Sequence, residues 1–141
     1  MSVAVTSSFV LFPLGKKRFA LPADRVTELA RMDRVHDFPS TTPLVNGVLV
    51  RRGEVIPVCD VAEVLIGRDA PPRRFYLIAQ RKFEREEERA AIPVTGDCEL
   101  TNSELLPRTG ELNNYVKGLL SLPDEIIEVI DLETLMMEEA P

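Results

Sequence analysis

Apolar residues along this chain fall into short runs that are separated by glycine, proline or charged residues. The runs FVLFPL (9–14) and RFALP (18–22) lie on either side of a polar turn at residues 15–17. Short apolar runs bounded by turn residues are typical of β-strands, so this pattern predicts a hairpin of two short strands.

A second hairpin is predicted farther along the chain. VNGVLV (45–50) and EVIPVCD (54–60) surround a three-residue loop at 51–53, in which Gly53 can adopt a positive φ angle. Pro57 cannot donate a ladder hydrogen bond, so its strand should have an exposed edge or a bulge there. We therefore expect a hairpin whose tip carries two adjacent arginines.

Asp60 and Asp131 each follow a predicted strand and precede a short helical pattern. An aspartate at such a position accepts a hydrogen bond from a backbone N–H of the first helical turn. Glu63 stands at the capping-box position of the first helix, and Gly67 is suited to end that helix. Capping therefore explains both aspartates without a functional carboxylate pair.

The chain repeats itself at an offset of 71 residues. Residues 18–29 align without a gap with residues 89–100, and five of the twelve positions are identical. Residues 45–65 align with residues 116–136, with seven of twenty-one positions identical. Two blocks at one offset indicate two copies of a single supersecondary unit.

Several predicted strands, such as residues 9–12, are apolar on both faces, whereas a sheet with one wet face would alternate. Continuous apolar strands fit two small barrels that pack on each other, with one core inside each barrel and a third core between them. We therefore predict an all-β fold of two subdomains, approximately residues 9–70 and 71–137, with a short helix after each repeat.

Composition and charge narrow the functional classes. The 141 residues are 45% hydrophobic and 28% charged, which is typical of a globular protein. Residues 1–70 carry 9 basic and 8 acidic groups, whereas residues 71–141 carry 8 and 15. An acidic half repels phosphodiester backbones, and aromatic residues for base stacking make up only 6%, so we expect no nucleic-acid partner.

Membrane insertion and secretion are not expected. The longest uncharged stretch, residues 1–15, is shorter than the roughly 20 residues of a membrane span and lacks the features of a signal peptide. Cys59 and Cys98 have no CxxC partner, which favours reduced thiols. We therefore expect a cytoplasmic protein.

Candidate catalytic groups are scarce. His36, the single histidine, has no serine or cysteine elbow motif near it, and neither GxxxxGK[ST] nor GxGxxG occurs. No cluster of histidine, cysteine and carboxylates has metal-ligand spacing. We expect no enzymatic activity, no metal and no cofactor, and we interpret the charged stretch RKFEREEER (81–89) as a solvated hairpin loop.

Arg51 and Arg52 distinguish the second hairpin from its repeat, because SLPD (121–124) replaces VRRG (50–53). The fold unit therefore does not require these arginines. One interpretation is an ordinary solvated hairpin tip. The other is an anchor for a protein partner, since arginine is enriched among the residues that dominate protein interfaces.

Taken in order, these features resemble the CheW-like domain family of bacterial chemosensory adaptors. The resemblance runs from Phe9 to about Met137 through FVLFPLG, RFALP, RVTEL, VNGVLVRRGEVIPVCDV, FYLIAQ, AAIPV and YVKGLLSLPDEIIEVIDLETLM. The residues that match the family motif around the second hairpin are Gly47, Arg52, Gly53, Pro57 and Asp60.

The resemblance implies two tandem SH3-like, five-stranded β-barrel subdomains on a shared hydrophobic core, and an adaptor without catalytic activity. It implies two partners, the cytoplasmic tip of a methyl-accepting chemoreceptor and the CheW-like regulatory domain of the histidine kinase CheA. It also implies a cytoplasmic location at membrane-associated receptor arrays.

The resemblance also implies which residues bind partners. The strand RVTEL would face the receptor, and the motif arginine, Arg52, would help to position the adaptor in the array. Val48 and Leu49 would flank a groove between the barrels. The partner-binding residues predicted in this way are Val26, Glu28, Val48, Leu49 and Arg52, and Arg51 is added as the other member of the arginine pair at the hairpin tip.

Two other functional classes stay open at this point. The groove between the barrels could hold a small molecule or a nucleotide, which a saturable thermal shift with purine nucleotides would reveal. An enzyme would need a nucleophile, a base and an orienting group that converge in space, and the sequence pattern favours none.

Overall fold

The computed structural model describes residues 6–31, 45–67, 71–83, 86–108, 110 and 113–138, which are mostly β-strand. In the first half the elements are β1 (Thr6–Leu14), β2 (Lys17–Pro22), a 3-10 turn (Ala23–Arg25), β3 (Val26–Arg31), β4 (Val45–Arg51), β5 (Glu54–Cys59) and α1 (Ala62–Ile66). In the second half they are β6 (Phe75–Phe83), β7 (Glu86–Val94), β8 (Glu99–Glu104), β9 (Leu106–Pro107), β10 (Val116–Ser121), β11 (Ile126–Ile130) and α2 (Leu132–Glu138).

The strands form two curled sheets, which we name barrel A and barrel B. Barrel A has the strand order β8-β1-β2-β11-β10-β9, and barrel B has the order β3-β6-β7-β5-β4. One short helix follows β5 and another follows β11. The predicted all-β architecture of two small barrels with a helix after each repeat is confirmed. Barrel B has the five expected strands, whereas barrel A has a sixth, the two-residue strand β9.

Each barrel takes strands from both halves of the chain. Val58 of β5 pairs in parallel with Ala91 of β7, and Val129 of β11 pairs in parallel with Ala20 of β2. The two pairs have the same register at an offset of 71 residues, so the sequence repeat is also a structural repeat. The halves therefore exchange their first hairpins: β1–β2 joins β10 and β11, while β6–β7 joins β4 and β5.

The irregularities of the strands repeat as well. The register shifts between Val45 and Gly47 in β4, and it shifts between Val116 and Gly118 in β10. Because each barrel mixes strands from both halves, the ranges 9–70 and 71–137 describe the sequence repeat. As boundaries of independent subdomains they stay a prediction.

Among the described residues, three buried clusters form the cores that the two-faced apolar strands predict, and a fourth, small cluster joins Cys59 and Ala90. The shared core between the barrels combines Phe12 and Phe19 of barrel A with Leu77 and Ile92 of barrel B. The interior of barrel A contains Phe9, Leu11, Ala20, Leu120, Ile127 and Val129. The interior of barrel B contains Ala30, Leu49, Ile56, Val58, Tyr76, Ile78 and Ala91.

Both aspartates accept hydrogen bonds at the start of a helix, although the capping residue of α1 is Val61, one position after Asp60. An oxygen of Asp60 accepts a hydrogen bond of 3.1 Å from the Ala62 N–H, and Asp131 accepts bonds of 3.3 and 3.0 Å from the N–H and hydroxyl of Thr134. Gly67 ends α1 at a φ of 90°. The two aspartates thus support helix ends, as expected.

The β4–β5 hairpin differs from expectation in two details. Its loop has two residues, not three, because Arg51 still pairs with Glu54. Pro57 does not lie at an edge, because β5 lies between β7 and β4. The registered pairing of β5 with β7 is limited to Val58 and Ala91, so the missing N–H of Pro57 interrupts little of the ladder.

The stretch at 81–89 is mainly strand, and the interpretation as a loop is therefore wrong for most of it. Ladder pairing continues from the barrel outwards to Phe83 and Glu86. Residues 81–83 pair with residues 86–88, so backbone pairing and not an apolar face defines this part of the hairpin. His36 and the proline-bearing stretch at 38–43 lie outside the described residues.

Candidate functional site

Two of the residues predicted to bind partners contact each other. Arg51 at the end of β4 donates two hydrogen bonds to Glu28 of β3, from Nε to Oε1 (3.1 Å) and from Nη2 to Oε2 (2.9 Å). These strands are the outer strands of barrel B, and their described residues share no backbone pairing. The bidentate ion pair therefore closes barrel B across its open seam.

A second bidentate pair adjoins the first. Arg89 of β7 donates from Nε to Oε1 of Glu54 (3.1 Å), and its Nη2 contacts Oε2 of the same carboxylate. The hydrogen bond to Arg89 lowers the pKa of Glu54, and the same bond raises the pKa of Arg89, with a smaller contribution from the charge of Glu28. We name Glu28, Arg51, Glu54 and Arg89 the barrel B cluster.

Barrel A contains the counterpart of this cluster. Arg18, which corresponds to Arg89 at the 71-residue offset, donates from Nε to Oε1 of Glu125 (2.8 Å) and from Nη1 to Oε2 of Glu99 (2.9 Å). Glu99 and Glu125 correspond to Glu28 and Glu54. The hydrogen bond to Glu125 is the main cause that raises the pKa of Arg18.

Sequence reasoning missed these clusters, although their signal was present. The arginine and both glutamates are identical at the 71-residue offset, unlike most charged positions. The exception is Arg51, whose counterpart is Leu122, a side chain that packs against the interior of barrel A. Barrel B thus has one more cation in its cluster than barrel A.

Arg52 occupies the tip of the β4–β5 hairpin and is exposed. Its φ is 51°, and Gly53 follows at 77°, so both residues of the turn are left-handed. A side chain in this region costs about 1–2 kcal/mol relative to the right-handed conformation. No described residue forms an ion pair or hydrogen bond with the Arg52 guanidinium, which therefore faces solvent.

Val48 and Leu49, the other two predicted partner-binding residues on this hairpin, point to opposite faces of β4. Val48 pairs with Pro57 on the outer face and is 8% exposed, whereas Leu49 is 1% exposed and belongs to the interior of barrel B. A partner contact by Leu49 therefore stays a prediction that its burial does not support. The exposed apolar residues of this hairpin are Val50 and Val55, which face each other across the strands.

Val26, the remaining candidate, is half-buried and packs against the shared core. Its neighbour Arg25 lines a small cavity of about 50 Å³ at the seam between the barrels. The residues around this cavity are Leu21, Pro22, Arg25, Gln80, Lys117, Ile130, Asp131, Leu132 and Glu133. We name this cavity the seam groove.

A second cavity continues the seam groove past the 3-10 turn. Pro22 and Lys117 line both cavities, and Phe9 and Leu105 form the apolar wall of the second one. Arg25 pairs with Glu133 at 3.4 Å across the seam groove, while Lys117 is exposed and has no ion pair with a described residue. The groove thus combines an apolar floor with a charged rim.

Among the described residues, no group of three or more histidine, cysteine and carboxylate side chains is placed to hold a metal ion. Cys59 and Cys98 are free thiols, and burial, with a smaller effect of Asp97, raises the pKa of Cys98 to about 11. In the described parts of the chain, neither helix has the length and apolar character needed to cross a membrane.

Comparison with known proteins agrees with this picture. The family model of the CheW-like domain matches residues 8–140. The chain is 24% identical over 149 residues to a probable chemotaxis protein CheW from Rhizobium etli, with 98% of this chain and 96% of that protein covered. It is 20% identical over 140 residues to the chemotaxis protein CheW of Klebsiella aerogenes, with 96% and 84% covered.

A solved structure has the same fold. The crystal structure of the scaffolding protein TtCheW from Thermoanaerobacter tengcongensis matches with a TM-score of 0.77 and 20% sequence identity, covering 94% of this chain and 89% of that chain. The two curled sheets are therefore SH3-like subdomains, as expected. None of these names mentions a nucleotide or another small molecule.

Proposed function

The chain belongs to the CheW-like domain family and is a chemotaxis coupling adaptor, and we propose that it joins receptor and kinase through two neighbouring surfaces. The family is one of non-catalytic scaffolds that couple chemoreceptors to the kinase CheA. The observation that carries the proposal is the Glu28–Arg51 pair, which ties the strand assigned to the receptor to the hairpin assigned to the kinase.

The kinase surface in this proposal is the outer face and tip of the β4–β5 hairpin. Val50 and Val55 are 47% and 60% exposed, and Arg52 projects beside them. Arginine is enriched at interface centres, and the two exposed valines supply apolar area beside it. The occupant we assign to this surface is the CheW-like regulatory domain of CheA.

The receptor surface in this proposal is the seam groove, entered beside Val26 and Arg25. A groove with an apolar floor and a charged rim accepts an amphipathic helix, whose apolar face lies in the groove. The cytoplasmic tip of a chemoreceptor is the occupant we assign. This assignment places the protein in the cytoplasm, at receptor arrays on the membrane.

Reversing the charge of Arg52 tests the kinase surface. We expect Arg52→Glu to weaken binding of the regulatory domain about tenfold, which is about 1.4 kcal/mol, because a carboxylate replaces an exposed guanidinium at the hairpin tip. Arg52→Gly is the matched variant, since glycine removes the charge and suits the left-handed turn. Its affinity should fall between those of wild type and Arg52→Glu. Equal affinities of all three proteins in calorimetry would remove Arg52 from the interface.

Reversing the charge of Lys117 tests the receptor surface. We expect Lys117→Glu to weaken binding of the receptor tip several-fold and to leave kinase binding unchanged, because the rim of the seam groove already carries Asp131 and Glu133. Lys16→Glu is the control, since it makes the same charge change on an exposed lysine at a different cavity. Equal losses for both variants would mean that net charge, and not the groove, governs receptor binding.

A further inference from the structure

The two clusters show the same glutamate in two different ion-pair states. In barrel A, Arg18 holds Glu99 and Glu125 at once. In barrel B, Glu54 is the one described residue whose side chain accepts hydrogen bonds from the corresponding Arg89, and the glutamate that corresponds to Glu99 is held by Arg51 instead. The barrel A state therefore demonstrates that one arginine at this position can satisfy both carboxylates.

In the barrel B cluster, Arg89 is placed to pair with both glutamates, as Arg18 does in barrel A. The charge of Glu28 already contributes to the raised pKa of Arg89, although the hydrogen bonds of Glu28 go to Arg51. The side chains of Arg51 and Glu28 are 26% and 25% exposed, so solvent and a partner can reach both. If Arg51 leaves, Glu28 retains a nearby cation, which lowers the cost of losing its first partner.

We propose that Arg51 exchanges partners on binding: it leaves Glu28 for a carboxylate of the docked protein, and Glu28 then pairs with Arg89 as Glu99 pairs with Arg18. This inference rests on the proposed kinase surface and goes beyond it by naming the group that is recognised and the step that releases the arginine. The 71-residue repeat supplies the resting and the exchanged geometry within a single chain.

Local charge identifies the chemistry of the partner. The barrel B cluster pairs two arginines with two glutamates, and the exposed Arg52 adds a third arginine at the adjoining hairpin tip. These five residues therefore carry a net positive charge on a chain whose net charge is −6. Val50 and Val55 provide exposed apolar surface on the same hairpin. The site therefore fits a protein segment that presents a carboxylate next to an aliphatic side chain.

The free protein offers the first test. Arg51→Leu places the barrel A residue, leucine, at the equivalent position of barrel B. A crystal structure of this variant should show the Arg89 guanidinium within hydrogen-bond distance of both Glu28 and Glu54. Glu28 turned to solvent, with Arg89 bound to Glu54 alone, would overturn the exchange whether or not any partner is known.

Binding of the CheW-like regulatory domain of the cognate CheA offers the second test. Glu28→Gln should strengthen binding several-fold because it releases Arg51, whereas Arg51→Leu should weaken it at least tenfold. Arg89→Gln should weaken binding because it removes the cation that would replace Arg51 as the partner of Glu28. Adding Glu28→Gln to that variant should restore the affinity, because Arg51 is then released without a replacement. Weaker binding by Glu28→Gln would show a merely structural pair and overturn the inference.

The two tests distinguish an error in the proposed exchange from an error in the proposed kinase surface. If the wild-type chain does not bind the regulatory domain, the kinase surface is wrong, and the structure of Arg51→Leu still decides whether Arg89 can take over Glu28. If wild type binds and Glu28→Gln binds more weakly, the surface is right and the exchange is wrong. Urea unfolding of each variant identifies any loss of affinity that follows from unfolding.

Discussion

We expect Phe12→Ala to lower the free energy of unfolding by about 3–5 kcal/mol, a large share of the roughly 5–15 kcal/mol of a typical domain. The Phe12 side chain is 1% exposed and lies in the shared core, with its ring centroid 6.0 Å from that of Phe19. Truncation removes apolar burial and leaves a cavity between the barrels, which neighbouring strands cannot fill without leaving their ladders. Urea unfolding followed by circular dichroism measures the loss.

The same experiment tests whether the barrels unfold together. Tyr76 lies in the interior of barrel B, whereas Tyr115, the other tyrosine of the chain, packs against the shared core. In a Tyr115→Phe background, tyrosine fluorescence therefore reports on the barrel that does not contain Phe12. Because the hairpins are exchanged and the core is shared, the fluorescence and circular dichroism transitions of Phe12→Ala should coincide. Leu100→Ala is the control, since Leu100 is 68% exposed and its truncation should change stability by less than about 0.5 kcal/mol. Separate transitions would show that the barrels are independent.

We expect Gly118→Ala to destabilise the protein by about 2–3 kcal/mol through overpacking. A Cβ atom at Gly118 would lie 2.5 Å from the Leu106 carbonyl oxygen and 2.7 Å from Leu105 Cδ1. The first of these contacts is with backbone, so relief requires β9 to move away from β10. Differential scanning calorimetry measures the expected fall in Tm.

Gly96→Ala is the matched control for this substitution. Its new Cβ would lie 3.5 Å from Pro13 Cγ, which is an ordinary van der Waals contact, and Gly96 does not have a positive φ. We expect nearly wild-type stability for this variant. If Gly118→Ala and Gly96→Ala are equally stable, the close approach of β9 to β10 does not constrain the fold.

The exchanged hairpins matter for an adaptor because they connect its two proposed surfaces. The seam groove is lined by residues of both barrels, including Gln80 of barrel B and Lys117 of barrel A. The kinase hairpin belongs to barrel B and is tied to β3 by the Glu28–Arg51 pair. A shared core of this kind resists relative motion of the barrels, so a partner in the groove and a partner on the hairpin hold a defined geometry.

The amino-acid sequence by itself determined the all-β fold, the two-fold repeat and the positions of the helix caps. These properties follow from local rules, since strand runs, turn glycines and capping aspartates act over a few residues. The three cores also followed from the sequence, because strands such as residues 9–12 need an apolar neighbour on each face. The repeat could be recognised from the sequence because both copies satisfy the same packing constraints.

Only the tertiary structure decided how the halves combine and which side chains meet. Parallel pairing of β2 with β11 and of β7 with β5 depends on contacts between distant segments, and no local pattern specifies it. The same holds for the Glu28–Arg51 pair, whose members are 23 residues apart and lie on strands without backbone pairing. Leu49 and Val50 are both aliphatic, and only the register of β4 places one inside and the other outside. Strand register is set by the whole sheet, because a shift of one residue turns every side chain to the opposite face.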